Sequence, residues 1–370
     1  MMAESLDPDA VEASCLAHDL GHPPFGHIAE EVLDASAREH VGKAGGFEGN
    51  AQSFRIVTRL AQRASGSGLN LTRQTLDGLL KYPWRWRFED PLHKHKRERK
   101  WGYYLEDEKA FDFAREFYEP ESDDVLPELG LEAHIMEWAD DLTYAVHDVD
   151  DFFRAGLIPL HRLAAEDDDE VKRLSKLMEA AKDASPKAWP GWSVQELLDA
   201  VRSVAEDWGP TGAYLSTMDL RRDMRRFGSE LITRYFGGFM LENADAGKVR
   251  VKIDDTILRE VEALKMLVHV YVIRRPGLAV VQHGQKRVVA DLFDFYFKAS
   301  GTDPGKGADR RIFPPGAREL LDAGSDEAAP RARIVTDLIA GLTETAALEL
   351  HQRLVGGWTA PTLDAMADRA

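Results

Sequence analysis

Ala17-His-Asp-Leu-Gly-His-Pro-Pro-Phe-Gly-His-Ile-Ala-Glu30 places three histidines and two acids around an enforced break between helices. A helix carrying His18 and Asp19 meets Gly21, and Pro23-Pro24 forbids its continuation. A second helix can start near Gly26 and present His27. The stretch therefore predicts helix, sharp turn, helix, with chemistry concentrated in the turn.

Outward from it, the chain reads as helix after helix. Asp7-Pro8 supplies a cap and a proline at the first helical position, after which Val11, Cys15 and His18 fall at i, i+4, i+7. That spacing turns His18 toward the core. The second helix, from about 26 to 40, sets His27 one turn before Glu30 and Glu31, and Gly42–Gly49 ends it. Further helices are expected over Asn50–Ala64, Thr72–Tyr82 (closed by Pro83) and Glu106–Tyr118. Leu131–Phe153 is the second informative stretch. Ile135, Met136, Ala139, Leu142, Val146, Val149 and Phe153 keep helical spacing, and beside them Asp140, Tyr144, Asp148 and Asp151 form a polar stripe that suits a cleft lining.

Past Pro159 the pattern is looser. Glu166–Trp192, rich in charge and alanine and interrupted by prolines, reads as a variable helical excursion or linker. Leu215–Leu241 is a long helical stretch with an Arg221, Arg222, Arg225, Arg226 flank. Val249–Ile253 alternates as a small strand does, whereas Met266–Ile273 suits a strand and a buried helix equally. Gly301–Pro315 is a loop by composition, and Ala332–Val355 is a closing helix. The fold class is all-α, with additional C-terminal helices and at most a minor β element.

The chain has 370 residues, of which 44% are hydrophobic, enough for a sizeable core. It contains no apolar run long enough to span a bilayer, and Met1–Pro8 lacks the features of a signal peptide, so a cytoplasmic enzyme without membrane association is expected. Its single cysteine, Cys15, reads as a small core residue and leaves any metal to histidine and carboxylate. A formal charge of −17 argues against strong nucleic-acid binding. Lys81–Trp101 is the exception, with eight Lys or Arg against three acids. Most of it reads as a solvated loop; the functional alternative is a basic wall that attracts a polyphosphate.

His18-Asp19 followed by His22 and His27, with Asp140 on a later helix, makes a mixed His/carboxylate metal site plausible, suited to Mn, Fe, Zn or Co. A zinc protease is excluded. That motif needs an uninterrupted helix and a glutamate after the first histidine, and here Asp19, Gly21 and Pro23-Pro24 stand instead.

These residues resemble the signature of the HD-domain deoxynucleoside triphosphate triphosphohydrolases, the dGTPase-like family. The resemblance continues through Gly46-Phe-Glu-Gly-Asn-Ala-Gln-Ser-Phe-Arg-Ile56, Leu69-Asn-Leu-Thr72, Leu80-Lys-Tyr-Pro83 and Trp138-Ala-Asp-Asp-Leu-Thr-Tyr-Ala-Val-His-Asp148, and more loosely Asp337-Leu-Ile-Ala-Gly-Leu-Thr343. It implies an HD-domain helical bundle that hydrolyses a dNTP to deoxynucleoside and tripolyphosphate using a divalent metal ion (Mn, Mg or another transition metal). By motif it implies His18, Asp19 and Asp140 as metal ligands, His27 with Glu30 as the catalytic pair, and His22 as a phosphate-contacting histidine. Tyr144 and Asp148 would read the sugar 3′-hydroxyl; Lys81 and Tyr82 would contact the polyphosphate, and Asn50, Gln52 and Arg55 are further candidates for substrate contact. It also implies a homo-oligomer, for which the Arg221–Arg226 helix is a candidate interface. The expected organisation is a catalytic core over 1–160, a variable segment over 161–210 and a C-terminal helical region over 211–370 packed on the core.

One departure stands out. The family draws a first metal-ligand histidine from an Arg-Leu-Thr-His-type helix upstream, and Met1–Ala17 contain no histidine. The chain thus reads as an N-terminally short member, with His22, His93 or His95 as conceivable substitutes. The alternative function is a catalytically impaired dNTP-binding or assembly subunit. A different HD phosphohydrolase, acting on another nucleotide or phosphate ester, ranks third because the matching motifs extend well beyond His-Asp.

Overall fold

The structure, a computed structural model, describes residues 6–41, 45–63, 66–86, 99–118, 127–185, 189, 191–208, 210, 212–243 and 249–355. In chain order the helices are α1 Pro8–Ala17, α2 His27–Val41, α3 Gly49–Arg55, α4 Arg73–Gly78, α5 Glu108–Ala114, α6 Leu131–Arg154, α7 Leu160–Ala164, α8 Asp168–Ala184, α9 Val194–Trp208, α10 Met218–Phe236, α11 Asp255–Val268, α12 Pro276–Ala299, α13 Pro315–Ala323, α14 Ala328–Ala340 and α15 Glu344–Val355. Two short antiparallel hairpins complete the described residues: β1 Gln62–Arg63 with β2 Gly66–Ser67, and β3 Phe239–Asn243 with β4 Val249–Ile253. The protein is all-α with a minor β element.

The chain forms two compact units, one of Met1–Leu6 and His134–Val280, the other of Asp7–Ala133 and Val281–Ala370. In the second unit, the side chain of Asp7 caps α1 by accepting from Asp9 N, and Pro8 occupies the first turn. The buried stripe of α1 is Ala10, Ser14 and Ala17, one position away from the expected Val11, Cys15 and His18, which are half-buried. Small residues win that face because α4 lies close: Ser14 Oγ donates to Ala10 O and approaches Thr75 O at 3.2 Å. A Cβ on Gly78 would fall 2.5 Å from the same hydroxyl.

The helix expected over Asn50–Ala64 stops earlier. It passes through a π turn at Ile56–Leu60 into the β1–β2 hairpin. Likewise α4 ends at Gly78, which leaves Lys81 and Tyr82 beyond it, and the single closing helix is two, parted at Gly341. One core of this unit joins α2 (Leu33, Ala37) to α12 (Val289, Phe293), α14 (Val335, Ile339) and α15 (Ala347). Another buries Trp84, Trp101 and Tyr104 around Ala51.

The first unit has its own core. Leu142, Val146, Val149 and Phe153 of α6 meet Leu174 and Met178 of α8, Leu198 and Val201 of α9, Phe227 and Leu231 of α10, and Leu264 and Leu267 of α11. Residues 161–210 thus supply three helices to a packed interior. Met266–Ile273 is buried helix, ending in a π turn, and the stretch expected to be helical to Leu241 turns at Gly237-Gly238 into β3.

Candidate active site

His18 is the C-cap of α1, and its Nδ1 lies 2.7 Å from Cys15 O. Only a protonated Nδ1 can bond that carbonyl, so in the neutral ring the Nε2 carries the lone pair, the form in which imidazole ligates metal. Asp19 Oδ2 is 3.2 Å from that Nε2. The turn that follows is fastened to α3 by Ser53, which donates to His18 O at 2.6 Å and accepts from Gly21 N at 2.9 Å. A Cβ on Gly21 would fall 2.1 Å from Ser53 N, so no larger residue fits there. Ser53 was not singled out in the sequence, where nothing but its place in a matching motif marks it.

Pro23-Pro24 then lead into Phe25 and Gly26, both with positive φ (70° and 57°). The consecutive left-handed residues reverse the chain so that His27 opens α2. One turn on, Glu30 is buried. His27 Nδ1 stands 3.1 Å from Glu30 Oε2, while the His27 ring remains largely exposed. Burial opposes ionisation of Glu30, but the His27 hydrogen bond and the charge of Lys100 outweigh it and hold its carboxyl down to about 2. The bond to Glu30 raises His27 in turn. The pair is an imidazole with one nitrogen anchored on a buried anion, able to hold a proton at the other.

His22 lies between Asp19 and Glu30, its Nδ1 3.1 Å from Asp19 Oδ1 and its Nε2 3.4 Å from Glu30 Oε1. His22, His27 and Glu30 bring ligand atoms within 4.8 Å of one another. On the turn itself, the His18 Nε2 lone pair beside the Asp19 carboxylate is a donor pair that fits a divalent cation.

In the sequence nothing distinguishes Lys100 from its seven basic neighbours. In the fold its Nζ sits 3.2 Å from Glu30 Oε2 and 2.9 Å from Glu48 Oε1. Trp84 Nε1 donates to its carbonyl at 2.8 Å. Glu48 caps α3 through Asn50 N and Ala51 N, and Asn50 Nδ2 donates to Glu48 Oε1 at 2.9 Å. Gln52 is buried and donates to Asp337 of α14, which also takes Arg55 through both oxygens. Lys81 and Tyr82 are half-buried, Tyr82 against Trp84. His93 and His95, with residues 87–98 of the basic loop, lie outside the described residues.

On α6, in the other unit, Asp140 is half-buried, Tyr144 exposed and Asp148 half-buried. Tyr144 and Asp148 share a hydrogen bond, and burial followed by the Asp148 charge pushes the phenol up to about 12. The stripe read from sequence is therefore a set of electrostatically coupled groups on one helix.

These helices and the His18-Asp19 turn define an all-α protein of the HD-domain class. Residues 251–353 match the phosphohydrolase-associated domain. A deoxyguanosinetriphosphate triphosphohydrolase-like protein of Streptomyces coelicolor is 37% identical, covering 96% of this chain and 79% of the relative. Its namesake in Corynebacterium efficiens is 33% identical (95% and 78%), and the like-named protein 1 of Mesorhizobium japonicum 32% (94% and 74%). The chain belongs to the deoxyguanosinetriphosphate triphosphohydrolase-like family. No described helix is long and apolar enough to cross a membrane.

Proposed function

We propose that the protein hydrolyses a deoxynucleoside triphosphate to deoxynucleoside and tripolyphosphate in the cytoplasm, as a homo-oligomer and with a divalent metal ion. The observation that carries this reading is the His27–Glu30 pair, 3.1 Å apart beside His22. A water oxygen bonds to the α-phosphorus as the bond from that phosphorus to the 5′ oxygen breaks; His27, held by Glu30, gives its proton to the departing 5′ oxygen, the attacking water's proton passes to solvent, and Glu30 stabilises the imidazolium before the transfer. His22 donates to a phosphate oxygen. Tyr144 and Asp148 bond the sugar 3′-hydroxyl; Lys81 and Tyr82 contact the polyphosphate, with Asn50 and Gln52 as lesser contributors. His18, Asp19 and Asp140 hold the metal ion (Mn, Mg or another transition metal), which when bound offsets phosphate charge.

The experiment is incubation of the purified protein with each dNTP and Mn²⁺ or Mg²⁺, with the products separated by ion exchange. Tripolyphosphate and deoxynucleoside in equal amounts are expected. Release of pyrophosphate or monophosphate instead, or no product from any dNTP, overturns the reading.

A further inference from the structure

Two carboxylates meet behind His27. Glu30 and Glu48 are 7% and 1% exposed, and Lys100 Nζ bridges them at 3.2 and 2.9 Å. Glu48 cannot move away. Its Oε2 accepts from Asn50 N (2.6 Å) and Ala51 N (3.0 Å), and its Oε1 from Asn50 Nδ2. Glu30 has little room on that side either, because a Cβ on Gly49 would come 2.4 Å from Glu30 Oε1. Lys100 is fixed from its own side, with Trp84 holding its carbonyl and its charge favoured by Glu48 and Glu30 against the cost of burial. An ion pair of this kind contributes little at a surface, but removing one member inside a protein leaves a buried charge uncompensated.

We propose that Lys100 is a positioning residue whose ammonium is the shared counter-ion of Glu30 and Glu48, keeping Glu30 in register with His27 while Glu48 caps α3. Without the ammonium, two buried like charges face each other. Glu48 is pinned by three donors, so Glu30 is the carboxylate that rotates away, and its bond to His27 loosens. Lys100 thus acts through Glu30 rather than on substrate. The inference rests on the His27–Glu30 reading above for its catalytic consequence, but its electrostatic content does not need turnover.

The test is a double-substitution cycle of Lys100→Met and Glu48→Gln in the full chain, read by melting temperature and by steady-state kinetics. Glu48→Gln alone is expected to lower the melting temperature, because a carboxylate that pairs with Lys100 is lost. In the Lys100→Met background the same substitution is expected to raise it, because only one buried carboxylate remains. Lys100→Met is expected to lower kcat on the order of 100-fold with KM nearly unchanged, and Glu48→Gln to recover most of that loss. If Glu48→Gln lowers the melting temperature in both backgrounds, the counter-ion role is overturned. If the melting effect reverses but kcat does not recover, or if KM carries the loss, the positioning role is overturned. If the parent protein turns over no dNTP, the functional reading fails, and the melting cycle still decides the role of Lys100.

Discussion

His27 Nδ1 lies 3.1 Å from a carboxylate, Glu30 Oε2, that is almost wholly buried, while the imidazole itself faces outward. An exposed ring tethered to a buried anion is suited to carry a proton to a ligand. If the pair acts as one unit, His27→Ala and Glu30→Gln each lower kcat by about 10²- to 10⁴-fold. Combining them costs scarcely more than the worse single change. Additive losses in the double variant would show that the two side chains work separately.

Glu30 also links stability to pH. Its carboxyl titrates near 4.5 when unfolded and at about 2 when folded, so the unfolded state takes up the proton first as pH falls. The stabilisation is full above the unfolded value and is lost as pH drops through the folded one, amounting to about 3 kcal/mol at neutral pH. Urea unfolding of the parent and of Glu30→Gln across pH 2 to 6 should therefore show a stability gap that closes toward acid.

On α6, Tyr144 is 52% exposed and makes its hydrogen bond to Asp148 at the surface. Tyr144→Phe and Asp148→Asn should leave the melting temperature of the free protein within about a degree or two, since surface changes are worth only ~0.5 kcal/mol. Both should reduce the further stabilisation produced by an added dNTP. Undiminished stabilisation in both variants counts against their reading the sugar.

Arg55 is buried at 6% exposure and divides its guanidinium between Asp337 and Asp107. Asp337→Ala strips that cation of its nearer partner and deprives Gln52 of its acceptor. A loss of about 3–5 kcal/mol is expected in chemical denaturation. A loss under 1 kcal/mol would mean that Asp107 alone suffices.

Gly21→Ala tests the turn that carries His18. The new Cβ would collide with backbone at Ser53 and Gly49, atoms that cannot swing aside. The turn must lift from α3, breaking the Ser53 bonds to His18 O and Gly21 N. Loss of divalent-metal stabilisation is expected alongside a lower melting temperature.

The sequence by itself determined the all-α class, a break between helices ahead of Pro23-Pro24 (though α1 already ends at Ala17, which leaves His18 as its cap and Asp19 in the turn), and the core face of α6, because each follows from local chemistry: a proline that cannot donate, a cap that can accept, apolar residues at helical spacing. Pairing at i, i+3 also made His27 and Glu30 readable, since one helix turn fixes their separation. Where packing competed with local pattern, the tertiary structure decided. Close approach of α4 to α1 gave the buried stripe to Ala10, Ser14 and Ala17; the hairpin after Leu60 cut short a helix whose periodicity ran on. Lys100 was unreadable among eight basic residues because charge composition does not say which ammonium meets two buried carboxylates. That depends on Glu30, Glu48 and Trp84, brought together from three separate segments, and the cost of leaving their charges unmatched singles out this lysine.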